Sequence, residues 1–134
     1  MIDKLIIHTD GGARGNPGPA AIGAVIKDEK GTLLAEVSEC IGETTNNQAE
    51  YRAVIAALRE AKQLKATEIN FYLDSELVVK QLNKEYKVKH PDLAPLFVKI
   101  YNETLSYKKV TFAHVRREYN KEADALVNKA LDAK

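Results

Sequence analysis

Four carboxylates in this chain stand where carboxylates are costly, and their placement points to metal chemistry. Asp10 follows the apolar run "KLIIHT" and is itself followed by Gly11 and Gly12; Asp74 follows "EINFYL" and precedes Ser75. Read on its own, an acid between a strand and a glycine is an ordinary turn residue. Glu50 and Asp124 are less easily explained, because each shares the apolar stripe of an amphipathic segment. Glu50 lies four, seven and eleven residues before Val54, Ala57 and Ala61, and Asp124 lies three and seven before Val127 and Leu131. A helix normally turns its acids to water, and an inward carboxylate loses solvation unless something compensates. Pairing with a helix N-terminus explains either one alone. One shared site explains all four, since clustered carboxylates repel and a cation removes the repulsion. Oxygen ligands without a Cys or His cluster point to Mg²⁺ or Mn²⁺ rather than zinc. Acids of this kind hold one or two ions for phosphoryl chemistry.

The elements that must position these acids follow from the pattern of apolar residues. "KLIIHTD" (4–10) reads as a strand ending at Asp10, and "AIGAVIKD" (21–28) and "TLLAEVSECIG" (32–42) as a hairpin joined at "EKG". "NNQAEYRAVIAALREAKQL" (46–64) is the strongest helix, with Thr and Asn capping candidates ahead of it. "EINFYLD" (68–74) is a strand, and Ser75 caps a shorter helix, "ELVVKQLNK". "HPDLAPLFVKIYNETLSY" (90–107) predicts a helix starting near Pro91 or Asp92, with Pro95 in its first turn. "KVTFAHV" (109–115) is the last strand and "NKEADALVNKALD" (120–132) the last helix. The order βββαβααβα predicts an α/β fold. A crossover from the hairpin sets the 68–74 strand parallel to the first, so Asp10 and Asp74 should emerge side by side at the carboxyl edge of the sheet.

The loops suit a polyanion. "GGARGNPGP" is not a P-loop, having no Gly-Lys-Ser/Thr, but its glycines let backbone approach a ligand beside Asp10, and Asn16 can reach a sugar hydroxyl. "TTNN" (44–47) places hydroxyls, amides and free N–H groups at a helix start, where capping and phosphate contact can coexist. Basic residues gather at 80–90 and 116–121 with Tyr86 and Tyr119 among them. Net charge is only +1, so a nucleic acid must be held by such local patches. The 134 residues, 45% hydrophobic and 29% charged, suit one soluble domain spanning 1–134. A single cysteine, Cys40, excludes an internal disulfide framework and reads as a small strand or core residue in a cytoplasmic protein. Neither a membrane span nor a signal peptide is expected.

Together "HTDGGARGNPGPAAIG", "TTNNQAEYRAVIAAL", "YLDSELVV" and "REYNKEADALVNKA" resemble the type 1 ribonuclease H family along essentially the whole chain. The resemblance implies a ribonuclease H-like fold, a five-stranded mixed sheet flanked by helices. It also implies Mg²⁺- or Mn²⁺-dependent cutting of the RNA strand of RNA/DNA hybrids, with two ions when substrate is bound and 3′-hydroxyl and 5′-phosphate ends. Asp10, Glu50, Asp74 and Asp124 would be the metal-binding acids, with Asp10 bridging. Gly11, Gly12, Asn16, Thr45, Asn46, Asn47 and Ser75 would meet substrate, the asparagines at RNA 2′-hydroxyls and Thr45 near a phosphate. No obligate protein partner is implied, and a monomer is expected. Two features depart from the family. The loop before Asp124 is shortened to "RREYNKE" and lacks the histidine many members carry, the nearest being His114 within a predicted strand. The stretch from Lys80 to Pro91 also leaves no room for a basic helical handle. Two other readings stay open: a binding module that has lost turnover, and another metal-dependent nuclease or transferase on the same fold.

Overall fold

The computed structural model describes residues 2–133. Its strands are β1 (Lys4–Ala13), β2 (Gly18–Asp28), β3 (Leu33–Thr44), β4 (Glu68–Leu73) and β5 (Lys109–His114). Its helices are α1 (Asn46–Leu64), α2 (Glu76–Leu82), α3 (Ala94–Thr104) and α4 (Lys121–Asp132), and a short 3₁₀ turn, Arg117–Tyr119, leads into α4. The strands form one sheet in the order β3-β2-β1-β4-β5. β1, β2 and β3 form an antiparallel meander, whereas β4 runs parallel to β1 and to β5. The mixed five-stranded sheet is the one expected, and β1 and β4 are neighbours as the crossover argument requires.

One expectation fails. β1 does not end at Asp10 but continues through Gly11 and Gly12 to Ala13, pairing Asp10 with Gly23, Gly11 with Ile22 and Gly12 with Ala21. Without side chains the two glycines keep the ladder with β2 intact beneath the packed helices, so the chain has no reason to turn there. What ends is the other partner. Pairing with β4 stops at His8 opposite Tyr72, so one edge of β1 is free of backbone partners from Asp10 onward. Smaller differences lie at element ends: α3 starts at Ala94 rather than Pro91 or Asp92, and α2 stops at Leu82.

The main core lies between the sheet and α1. Leu5 and Ile7 of β1, Ile69 and Phe71 of β4, and Tyr51, Val54 and Leu58 of α1 are all buried there. Tyr51 also donates its hydroxyl to Gln81 Oε1 at 2.7 Å, tying α1 to α2 inside the core. α4 packs on the opposite face, where Ala21, Val127 and Leu131 form a smaller cluster. Ser38 and Cys40 on β3 bond the α4 carbonyls of Leu126 and Ala130, so the exposed Cys40 sits on the strand against α4.

Candidate active site

The free edge of β1 is where the acids meet. The Gly11 N–H, having no β4 carbonyl to bond, donates to Asp10 Oδ1 and to Glu50 Oε1, each at 3.0 Å. α1 delivers Glu50 there because Thr45 caps the helix on the Gln48 N–H, starting it one turn before the acid. Asp74 leaves the end of β4, and Ser75 at once caps α2 by accepting from the Val78 N–H at 3.3 Å. Asp10, Glu50 and Asp74 each offer a carboxylate oxygen within 4.8 Å of the others. Asp124 is not within that trio, although its charge acts on Asp10 and it lines the same cavity.

The electrostatics are those of too many acids in too little water. Burial pushes the Asp10 carboxyl up to about 7; the hydrogen bond with Glu50 works against this, and the charges of Asp74 and Asp124 add to it. Glu50 is raised well above the carboxylate range, by burial first and then by Asp10. Glu50 Oε2 is buried with no hydrogen-bond partner. A buried carboxylate oxygen without a partner, on one of three converging acids, is what a hard cation would satisfy, so the donor set is compatible with a divalent metal ion.

The acids lie in a cavity of about 510 Å³, which Gly11, Gly12, Asn46, Asn47 and Ser75 also line. The Gly-rich loop is latched to the start of α1. Ala13 N–H donates to Asn46 Oδ1 at 2.8 Å, and Asn46 N–H donates to Asn16 Oδ1 at 3.0 Å. Asn16 lies outside the cavity lining, its Oδ1 taken by the Asn46 N–H, and the Thr45 hydroxyl is engaged in its cap. Arg14 and Arg117 line the cavity as its cations, and Arg117 lies 3.9 Å from Asp124.

Asn120 is the site residue that sequence reasoning missed. At the start of α4 it makes no side-chain cap bond; its Nδ2 donates instead to the Thr9 carbonyl at 2.9 Å and to Asp74 Oδ2 at 3.3 Å. The available signal was an Asn four residues before an inward acid. Neither strand histidine enters the cavity. His8 stacks on Tyr72, with ring centroids 5.1 Å apart, and burial lowers its pKa. His114 is the exposed last residue of β5.

Comparison with known proteins places this arrangement. A family model described as Reverse transcriptase-like matches residues 8–130. The crystal structure of RNase H1 from the archaeon Halobacterium salinarum superposes with a TM-score of 0.95 at 41% identity, over 98% of this chain and 99% of that one. The chain belongs to the type 1 ribonuclease H family. This ribonuclease H chain is also similar to LC11-RNase H1 in its complex with RNA/DNA hybrid, with a TM-score of 0.92 and 49% identity over 96% of this chain and 97% of that one. It is 47% identical over 131 residues to bifunctional protein Rv2228c of Mycobacterium tuberculosis, covering 97% of this chain but 36% of that protein. The chain therefore spans about a third of the length of the first curated relatives it matches. Among the described residues no helix is long and apolar enough to cross a membrane.

Proposed function

We propose that this chain hydrolyses the RNA strand of RNA/DNA hybrids in a divalent-metal-dependent reaction, leaving 3′-hydroxyl and 5′-phosphate ends. The observation that carries the reading is the convergence of Asp10, Glu50 and Asp74, from three separate elements, to within 4.8 Å. The likeness to a relative solved with RNA/DNA hybrid supports the choice of substrate.

Asp10, Glu50 and Asp74 would hold Mg²⁺ or Mn²⁺, with Asp124 closing the set. Asp10 interacts with all three other acids, which suits it to be shared by two ions. A cation bound there would supply Lewis-acid stabilisation of a leaving oxygen and a more acidic water. The rest falls to the chain itself. Gly11 N–H fixes the orientation of the Asp10 and Glu50 carboxylates. Gly12 keeps the cavity floor clear of side chains, and Asn46 and Asn47 present amides where a ribose hydroxyl would lie. Arg14 and Arg117 offer the charge and donor geometry that bind phosphate.

A module that only binds nucleic acid would have no use for desolvated carboxylates that repel one another. The deciding experiment incubates the chain with labelled RNA/DNA hybrid, double-stranded RNA and double-stranded DNA, in Mg²⁺ and in Mn²⁺, and identifies the ends. Cleavage confined to RNA strands, lost in chelator and leaving 5′-phosphates, is the expected result. Cutting of double-stranded DNA at the same rate, or no cutting of hybrid in either metal, would sink the reading.

A further inference from the structure

Asp10 stands opposite Gly23 in the β1–β2 ladder. Gly23 does not need to be glycine for its backbone, since its φ lies outside the left-handed region that Gly15, Gly31 and Gly42 adopt. It is also placed inside a strand, where glycine weakens the structure. Its surroundings supply the reason. A Cβ at Gly23 would stand 2.4 Å from the Ala123 carbonyl oxygen, 3.0 Å from Leu126 Cβ and 3.1 Å from Val127 N. The first of these is backbone and cannot swing aside.

Ala123 immediately precedes Asp124. The other face of the sheet repeats the device: a Cβ at Gly11 would stand 2.3 Å from the Ala49 carbonyl and 2.5 Å from Glu50 N, and Ala49 immediately precedes Glu50. Each acid carried by a helix thus follows an alanine seated directly on a glycine beside Asp10. Adjacent strand residues point to opposite faces, so the two seats bring α1 and α4 in from either side.

The tight approach of α4 runs from Ala123 to Val127, the first two turns of the helix. Further along the helix, the neighbouring strand positions do not require it. Ala21 carries a Cβ and is fully buried against Val127 and Leu131. A Cβ at Gly12 would meet only Val127 Cγ1, at an ordinary 3.8 Å.

We infer that Gly23 is a positioning residue for Asp124: its missing side chain sets how deeply the start of α4 lies on β2, and that depth sets the reach of Asp124 toward Asp10. The inference rests on the proposed reading of the acids as metal-binding. With Ala at position 23, the first turn of α4 must lift, carrying Asp124 with it, while Asp10 and Glu50, carried by β1 and α1, stay in place.

The test uses the full chain and four proteins: unmodified, Gly23→Ala, Asp124→Asn and the double variant. Mn²⁺ binding without substrate is read from the paramagnetic resonance of the free ion, hybrid cleavage gives kcat and KM, and circular dichroism reports folding. Gly23→Ala is expected to raise the Mn²⁺ concentration for half-saturation by about tenfold or more. It should lower kcat while changing KM for hybrid less than about threefold. In the Asp124→Asn background the same substitution should change Mn²⁺ binding by less than about twofold, because the residue it acts through is already disabled. Unchanged Mn²⁺ binding in Gly23→Ala, or an equal loss in both backgrounds, would overturn the inference.

If Gly23→Ala is unfolded in buffer, the measurements are repeated in sucrose, which favours the compact state. A chain unfolded even there would assign the glycine to folding alone and overturn the positional role. An unmodified chain that neither binds Mn²⁺ nor cuts hybrid would overturn the functional reading, and this inference with it. An unmodified chain that does both, with Gly23→Ala indistinguishable from it, would overturn this inference alone.

Discussion

Asn120 holds Asp74 by its side-chain amide: Nδ2 lies 3.3 Å from Asp74 Oδ2 and 2.9 Å from the Thr9 carbonyl, and the residue is 1% exposed. The last helix therefore contributes more than Asp124, because the residue just before it ties the end of β4 to β1. Asn120→Ala leaves a buried carbonyl and a crowded carboxylate without that donor, a loss worth about 1–3 kcal/mol. Urea unfolding should show a loss of that size, and initial rates on hybrid should fall about tenfold or more as Asp74 loses its orientation. Parental stability and rate in this variant would remove Asn120 from the site.

How much of this was legible in the sequence depended on whether a residue's partner was near in the chain or far. The acids stood out because Glu50 and Asp124 break their own helical stripes, a local anomaly. Thr45 and Ser75 were readable as caps because a cap acts three residues away. Asn120 was not, since its partners Thr9 and Asp74 are 111 and 46 residues distant. The end of β1 was misread for a similar reason. Glycine after an acid signals a turn locally, but here Gly11 serves as the seat for Ala49, and Gly12 lies where α4 crosses. The trio within 4.8 Å, with Asp124 outside it, is a tertiary fact that spacing cannot give.

Asp10→Asn and Asp74→Asn should each abolish turnover while leaving the fold intact, because an amide cannot replace a carboxylate toward a divalent cation. Without metal, Asp10→Asn should melt at or above the parental temperature, since it removes one charge from a buried group of repelling acids. Melting curves in chelator and turnover in Mg²⁺ check both halves. Full residual activity in either variant would exclude that acid from the metal site.

The acids also predict how metal-free stability changes with pH. The Asp10 carboxyl is raised to about 7 in the fold from an ordinary 3.8, and Glu50 is raised in the same direction. Between those limits the folded chain holds more protons than the unfolded one, so stability falls as pH rises. The Asp10 contribution is full below about 4 and lost above about 7, with a slope of up to about 1.4 kcal/mol per pH unit for each proton held. Urea unfolding in chelator from pH 4 to 8 should show the decline, and it should flatten in Asp10→Asn. A parental chain that gains stability across this range would contradict the buried-acid electrostatics.

His114 should not act as the family's loop histidine. It ends β5, paired in register with Leu73, and the 3₁₀ turn and α4 that follow contain no histidine. His114→Gln should cleave hybrid within a few-fold of the parental rate. A loss of about a hundredfold at unchanged melting temperature would instead assign it proton transfer or product release.

Hybrid binding should be loose and governed by few phosphates. The segment after α2 forms no extra helix. Its Lys84 and Lys87 border an apolar groove of about 530 Å³ with Tyr86 and Tyr101, Lys84 lying 4.1 Å above the Tyr101 ring. With net charge +1 and four lysines in this region, Lys80, Lys84, Lys87 and Lys89, counterion release should give a salt slope of about −4. Filter binding in Ca²⁺, which permits association without turnover, measures it across salt concentrations. Replacing Lys87 and Lys89 with Ala should weaken all hybrid sequences alike and make the slope shallower by about 2, because phosphate contacts carry no base information. A parental slope near about −10, or a sequence-selective loss in the double variant, would place the binding surface elsewhere on the molecule.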